Sequence, residues 1–235
     1  MKPKNLIMPV LALLVSASLH AQTAEDIVAK HLDAIGGKDK IAQIKSLYME
    51  TSSQIMGNDA PGTTTILNGK GFRTEVEFNG NKMIQCVSDK GGWSVNPMNG
   101  GTAEAMPDEQ YKSIKDQISI GGDLVNYADK GIKISLVGKS ADGYQLKLTS
   151  PDSTETSYYI DPATYYISKM VKKGDMMGQE VEVTTTYSNY QKTDFGYVVP
   201  FQVDIDFGGA FSMTTTVKKV EVNKAVDPTL FDMPK

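Results

Sequence analysis

Residues 72–97 read FRTEVEFNGNKMIQCVSDKGGWSVNP and carry the clearest strand pattern of the chain. The first seven residues alternate between two faces: Phe72, Thr74, Val76 and Phe78 on one, Arg73, Glu75 and Glu77 on the other. A period of two is typical of a strand with one buried and one solvated face. Asn79-Gly80 suits a two-residue hairpin turn, and Gly91-Gly92 marks a second turn before Trp93. The stretch predicts three antiparallel strands, with Phe72, Val76 and Phe78 facing a helical layer and the charged set facing solvent.

The same alternation continues through most of the chain, from Ser46 to Gly69 and from Gly131 to the C-terminus. It predicts a mainly β (α+β) fold of about ten or eleven antiparallel strands. Thr23 and Asp26 resemble a capping box before an apolar stripe at helical spacing, which Gly36-Gly37 ends. Residues 107–127 predict two further helices, the second opened by Asp123. Because these two helices interrupt the run of strands, they are expected to pack across the apolar face of the sheet.

The N-terminus predicts a secretory signal peptide over residues 1–21. Lys2 and Lys4 precede an apolar run that ends at Leu19, and Ala21 is a small residue before Gln22. The remaining residues, 22–235, suit one all-β domain that is exported, soluble and periplasmic. The formal net charge is −4, and residues 1–21 hold two lysines and no acidic residue, so the remainder is more acidic still. This balance argues against binding of nucleic acid or anionic membranes.

The sequence offers no constellation for covalent chemistry. Once residues 1–21 are removed, His31 is the sole histidine, and it lies among apolar residues of the first helix. Cys86 is the single cysteine, which excludes an internal disulfide, and its mid-strand position favours packing over nucleophilic catalysis. Asp204 with Asp206 shares the solvent face of a strand and lacks further metal ligands. We therefore expect no enzyme activity, no metal and no cofactor.

Six segments, taken in order, resemble the LolA-like outer-membrane lipoprotein carriers and their lipid-carrying relatives. They are AIGGKDKIAQIKSL (34–47), GKGFRTEVEF (69–78), VSDKGGWSVNP (87–97), YYIDPATYYISKM (158–170), NYQKTDFGYVVPFQVDI (189–205) and VEVNKAVDPTLFDMP (220–234). The resemblance implies an unclosed antiparallel half-barrel with helices covering its concave face. It also implies an apolar cavity that holds acyl chains without cofactor or catalysis. The expected cavity residues are Phe72, Val76, Phe78, Trp93, Tyr111, Ile114, Ile118 and Phe201.

Two functions are compatible with this resemblance. The first is a soluble, monomeric periplasmic carrier of lipoproteins or lipids, which would receive its cargo from an inner-membrane transporter and deliver it to an outer-membrane acceptor. The alternative is a binding module with the same fold that reports envelope lipid or lipoprotein state to a membrane partner. The carriers hold their helical lid shut with an arginine just ahead of the cavity strand. Here Lys70 lies nearest that position, and the chain's one arginine, Arg73, is within the strand.

Overall fold

The structure is a computed structural model that describes residues 22–55, 57–176 and 179–234. The predicted signal peptide, residues 1–21, lies outside the described residues. No helix in the described part of the chain is both long enough and apolar enough to cross a membrane.

The described chain folds around one antiparallel sheet of thirteen strands that does not close into a barrel. The strands are β1 Ser46–Ile55, β2 Asn58–Leu67, β3 Gly71–Phe78, β4 Asn81–Ser88, β5 Gly91–Val95, β6 Ala103–Ala105, β7 Lys133–Ser140, β8 Gly143–Thr149, β9 Glu155–Ile160, β10 Ile167–Met176, β11 Gln179–Lys192, β12 Val198–Phe207 and β13 Ser212–Val222. Their order across the sheet is β6-β5-β4-β3-β2-β1-β13-β12-β11-β10-β9-β8-β7, so β6 and β7 form the two edges. The fold class is as predicted, an unclosed β half-barrel. The short strand β6 was not predicted, because its Ala-Glu-Ala sequence carries no strand pattern.

The helices lie on one face of the sheet. Helix α1 (Ala24–Ala34) has the predicted capping box, since Asp26 N donates to Thr23 Oγ1 and Thr23 N donates to Asp26 Oδ2, both at 3.1 Å. Helix α2 (Lys38–Ala42) follows, and α3 (Asp108–Ile114) continues into a 3-10 turn, Lys115–Ile118. The second predicted helix of this region is wrong: residues 123–131 form turns. Positive φ angles at Gly121, Gly122 and Asn126 break any helical run there.

Two apolar clusters lie on opposite faces of the sheet. The main core fills the concave face, where Ile27, Val28 and Leu32 of α1 pack against strands on both halves of the sheet. The second cluster lies on the convex face of β3, β4 and β5, where Trp93 packs with Phe231 of a C-terminal 3-10 turn, Pro228–Phe231. The C-terminus is therefore folded back behind the strands that the sequence singles out.

Candidate ligand-binding surface

The strand register assigns the side chains of β3 to the two faces. Phe72 is opposite Ile66 of β2 and Val87 of β4, and Ile66 packs against the main core beneath the helices. Residues directly opposite in an antiparallel pair project to the same side of the sheet. Phe72 therefore lies on the concave face, and the period of two places Val76 and Phe78 there as well. The predicted alternation of β3 is confirmed.

Apolar side chains in two groups on the concave face remain half-buried and belong to neither packed cluster. They form two walls: Phe72, Val76, Phe78 and Met83 on β3 and β4, and Val203, Ile205, Phe207 and Met213 on β12 and β13. We call these eight residues the open strip. Four strand spacings separate β3 from β12, or about 19 Å measured along the sheet. The helices thus leave part of the apolar concave face unfilled.

The floor between the two walls is formed by β2, β1 and β13. Ala60 of β2 is opposite Ser53 of β1, and Ser53 is opposite Thr215 of β13. Ala60 and Ser53 are 0% and 3% exposed. This end of the floor is therefore shielded from water in this structure, whereas Thr51, Thr64 and Thr215 elsewhere on the floor are half-buried.

The segment that begins with α3 covers one end of the concave face. The Tyr111 hydroxyl donates to the Ser88 carbonyl oxygen at 2.9 Å, and the Tyr111 ring packs against Gly92. Gly69 N donates to the carbonyl oxygen of Ile118 at 2.8 Å. The 3-10 turn thereby packs against β3 and β4. The apolar side chains that cover this end of the strip, Tyr111, Ile114 and Ile118, are half-buried.

The chain that follows is anchored more firmly. Ile120 and Leu124 are buried in the main core, at 4% and 1% exposure. The Tyr158 hydroxyl of β9 donates to Asp123 Oδ2 at 2.9 Å, and burial raises the pKa of Tyr158 well above its usual value. Lys130 Nζ donates to the Gly122 carbonyl oxygen at 2.8 Å, and burial lowers the pKa of that ammonium. The cover over the concave face is therefore held by buried contacts after Ile118, whereas the part from α3 to Ile118 is held by half-buried side chains.

Comparison with solved structures identifies the fold. No protein-family model matches the chain, and no curated protein does. A domain from Vibrio parahaemolyticus assigned to outer membrane lipoprotein sorting has a TM-score of 0.56 at 13% identity, covering 88% of this chain and 95% of that one. A LolA superfamily protein from Nitrosomonas europaea has a TM-score of 0.58 at 15% identity, covering 90% and 98%. The chain has the LolA-like fold. A DUF1329 family protein from Desulfovibrio piger is similar too, with a TM-score of 0.59 at 13% identity over 90% and 98% of the two chains.

The LolA-like sheet brings together some of the eight residues expected from the sequence and separates others. Phe72, Val76 and Phe78 lie in the open strip. Phe201 lies on the same face, but it packs against the main core. The three residues of the cover, Tyr111, Ile114 and Ile118, are all half-buried.

Trp93 is on the opposite face from the other seven and does not line the strip. It is opposite Cys86 of β4, whereas the concave-face residue Val87 is opposite Gly92. Its indole Nε1 donates to the Phe231 carbonyl oxygen at 2.9 Å, and the side chain is 4% exposed. Trp93 therefore serves the convex cluster. A tryptophan directly after two glycines gives no indication of its face until the register of β4 and β5 is known.

The charged residues of β3 face the convex side, but only Glu77 is well exposed there. The Arg73 guanidinium lies 5.8 Å from the Trp93 ring centroid and its Nη2 is 2.8 Å from Glu75 Oε2. Those two side chains are 20% and 25% exposed. The expectation of full solvent exposure for Arg73 and Glu75 is thus too simple, because the C-terminal turn and Trp93 cover part of this face.

Sequence reasoning missed five members of the strip: Met83, Val203, Ile205, Phe207 and Met213. Three of them continue the alternating pattern of β12 beyond Phe201, so the period of two could have identified them. Met83 and Met213 join the set through pairing, since Met83 is opposite Val76 and Met213 is opposite Ile205.

The candidate catalytic groups are packed into the structure. His31 is 3% exposed, and its Nδ1 lies 2.8 Å from the Tyr165 carbonyl oxygen, so this nitrogen carries the proton. Burial lowers the pKa of His31, with a smaller opposing effect from that hydrogen bond. Cys86 is fully buried, and burial raises the pKa of its thiol to about 12. Neither group is placed to act as a base or nucleophile at a surface.

Two surface clefts of the described structure have none of the strip residues in their lining. One, of about 540 Å³, is mainly on the convex side, where charged residues that include Glu50, Glu75 and Lys82 line it, and Thr51 is also part of its lining. Another, of about 460 Å³, is beside the turn between α1 and α2. Neither is lined by any of the eight expected residues. Among the described residues, no cluster of three or more His, Cys, Asp or Glu side chains is arranged to hold a metal ion.

Proposed function

We propose that this protein is a periplasmic carrier that binds acyl chains of lipoproteins or lipids on the open strip and carries them towards the outer membrane. The observation that carries the proposal is the set of half-buried apolar side chains that the helices leave unfilled on the concave face. Each methylene group transferred from water to such a surface contributes about 0.8 kcal/mol. One or two acyl chains would therefore bind without any charged contact.

Binding of a whole acyl chain requires the strip to open, because part of its floor is shielded from water in this structure. The segment from α3 to Ile118 is the natural part to move, since its side chains are half-buried whereas Leu124 behind it is 1% exposed. A ligand would then replace the contacts of Tyr111, Ile114 and Ile118. Because the closed and loaded states use the same apolar surface, the free-energy difference between them stays small enough for release.

The proposed route begins with removal of residues 1–21 and export to the periplasm. An inner-membrane transporter would supply the cargo, and an outer-membrane acceptor would take it. The proposal involves no catalysis and no cofactor. The burial of His31 and Cys86 supports this, because neither side chain can reach a bound ligand at the strip.

Native mass spectrometry of the protein purified from its own cells tests the proposal. We expect a bound fraction that carries one or more acyl lipids, identified after extraction. Val76→Lys places a charge in the strip and should lose this fraction, whereas Glu77→Lys places the same residue one position away on the convex face and should keep it. Wild-type protein without lipid, or equal loading of the two variants, would refute acyl binding at the strip.

A further inference from the structure

Hydroxyl side chains run diagonally across the floor of the concave face, from the level of Met49 to that of Ser53 on β1. They lie on four neighbouring strands: Thr74 on β3, Thr64 on β2, Thr51 and Ser53 on β1, and Thr215 on β13. Thr64 is opposite Thr74, Ser53 is opposite Thr215, and Thr51 is opposite Gly62. The register places all five on the same face as Phe72 and Val76. We call this set the hydroxyl stripe.

A surface that binds only plain hydrocarbon does not need the hydroxyl groups of the stripe. Valine forms strands as well as threonine and has nearly the same shape. A hydroxyl buried against hydrocarbon without a partner costs free energy, because it loses its hydrogen bonds to water. Both walls of the strip present apolar side chains alone, whereas the floor between them presents hydroxyl groups as well. The difference points to a ligand with a polar group at the level of the floor.

The hydrogen bonds of the stripe leave donors available. Thr64 Oγ1 donates to Thr74 Oγ1 at 3.3 Å, and the hydroxyls of Ser53 and Thr215 are 2.8 Å apart. A hydroxyl has one proton and two lone pairs, so each pair uses one proton for its own hydrogen bond. The other proton of each pair can be donated to a ligand. The stripe therefore suits a hydrogen-bond acceptor such as a carbonyl oxygen.

Charge is missing from the same surface. The concave-face positions of β3, β2, β1 and β13 that the structure describes hold no acidic or basic side chain. The convex face of these strands differs, with Glu50, Glu75 and Lys219 among its residues. The register also places Lys172 of β10 on the concave face, three strands away from Thr215. An ionised carboxylate or phosphate at the floor would have no counter-charge on the strands that form it, which disfavours it. The polar group of the ligand should be neutral.

We infer that the hydroxyl stripe selects acyl lipids whose chains are joined through neutral ester or amide carbonyls, over ionised fatty acids and plain hydrocarbons. This inference rests on the proposed function and adds the chemical class of its ligand. A hydrogen bond from one or other hydroxyl pair holds a carbonyl at the floor, while the two walls contact the chains. The paired hydroxyls act as specificity determinants of the strip.

Displacement of the neutral dye Nile red tests the inference with three probes that share an eighteen-carbon acyl or alkenyl chain: methyl oleate, oleate and 1-octadecene, at pH 8.5. Two double variants remove one hydroxyl pair each, Thr64→Val/Thr74→Val and Ser53→Ala/Thr215→Val. The first pair is half-buried, so it provides a test if the second pair, in which Ser53 is 3% exposed, is needed for folding. The control is Thr63→Val, which removes a hydroxyl from the neighbouring position of β2 on the convex face.

For each variant, we divide its affinity for methyl oleate by its affinity for octadecene and compare this ratio with the same ratio in wild type. The comparison cancels the difference in solubility between the two probes. We expect this ratio to fall about fivefold on loss of one hydrogen bond and to stay unchanged in Thr63→Val. Oleate should bind wild type at least about tenfold more weakly than methyl oleate. An unchanged ratio in the stripe variants, or equal binding of oleate and its ester, would overturn the inference alone. Failure of all three probes to displace the dye from wild type would overturn the proposed function with it.

Discussion

Gly71 and Phe231 form a contact that allows a quantitative test of the convex cluster. A Cβ atom added at Gly71 would lie 2.5 Å from Cδ1 and 2.7 Å from Cδ2 of the Phe231 ring. The ring is 4% exposed, and the carbonyl of the same residue accepts hydrogen bonds from Trp93 and Cys86. The ring cannot move aside without disturbing those bonds. Gly71→Ala should therefore act as an overpacking substitution and destabilise the protein by about 1–3 kcal/mol.

Substitution of Phe231, the other residue of this contact, leaves a cavity where Gly71→Ala creates overpacking. Phe231→Ala removes a buried ring and should lower the free energy of unfolding by about 3–5 kcal/mol. In that background Gly71→Ala meets no ring, and alanine is the better residue in a strand by about 0.5–1 kcal/mol. The second substitution should then be neutral or slightly stabilising. The two effects are strongly non-additive, as expected for residues in direct contact.

The assay is urea denaturation of wild type, both single variants and the double variant. Trp93 is the chain's only tryptophan and belongs to this cluster, so its fluorescence reports the relevant part of the structure. Far-ultraviolet circular dichroism reports the whole sheet in the same samples. Additive penalties in the double variant, within about 0.5 kcal/mol, would refute the contact between Gly71 and the Phe231 ring.

Three further predictions follow from burial. Burial lowers the pKa of His31, so below about pH 6.5 the unfolded chain binds a proton more readily than the folded protein does. The free energy of unfolding should therefore fall on acidification, and it should fall less in His31→Gln. Thermal melts of both proteins at pH 7.5 and pH 5 test this. Iodoacetamide should modify Cys86 at pH 8 only as fast as the protein opens, and Phe231→Ala should accelerate the reaction; equal rates in the two proteins would contradict the burial of the thiol. Trp93→Phe should leave the affinity for methyl oleate within about twofold of wild type, because Trp93 is on the face opposite the strip; a larger loss in a displacement titration would argue against that placement.

The parts of the fold that local pattern determines were predictable from the sequence. The alternation of β3, the Asn79-Gly80 turn and the capping box at Thr23 each depend on neighbouring residues alone. The predicted helix opened by Asp123 failed for a different reason. Leu124 is buried as a helix-face residue would be, but Gly122 and Asn126 adopt positive φ, which turns the chain over the core without helical hydrogen bonds.

The candidate site required information that local pattern does not contain. Trp93 and Val76 carry similar apolar character, and only the register across β3, β4 and β5 separates their faces. Ile205 and Phe207 lie far from β3 in sequence and reach the strip because β13 pairs with β1. The hydroxyl stripe is likewise invisible in any one strand, since Thr74 of β3 and Ser53 of β1 come to the same face of the floor only through the order and register of the sheet.

The convex cluster explains how the β3–β4 wall can leave its concave side unfilled. These strands lie near the β6 edge of the sheet, where few neighbours stabilise them. Phe231 packs behind them on Gly71, and burial of one such side chain contributes about 1.5–3 kcal/mol. The wall thus has a source of stability on the face opposite the proposed ligand, in addition to the concave contacts of Val87. In the proposed function, Phe72, Val76 and Phe78 would exchange water for an acyl chain while the convex contacts of β3, β4 and β5 stay in place.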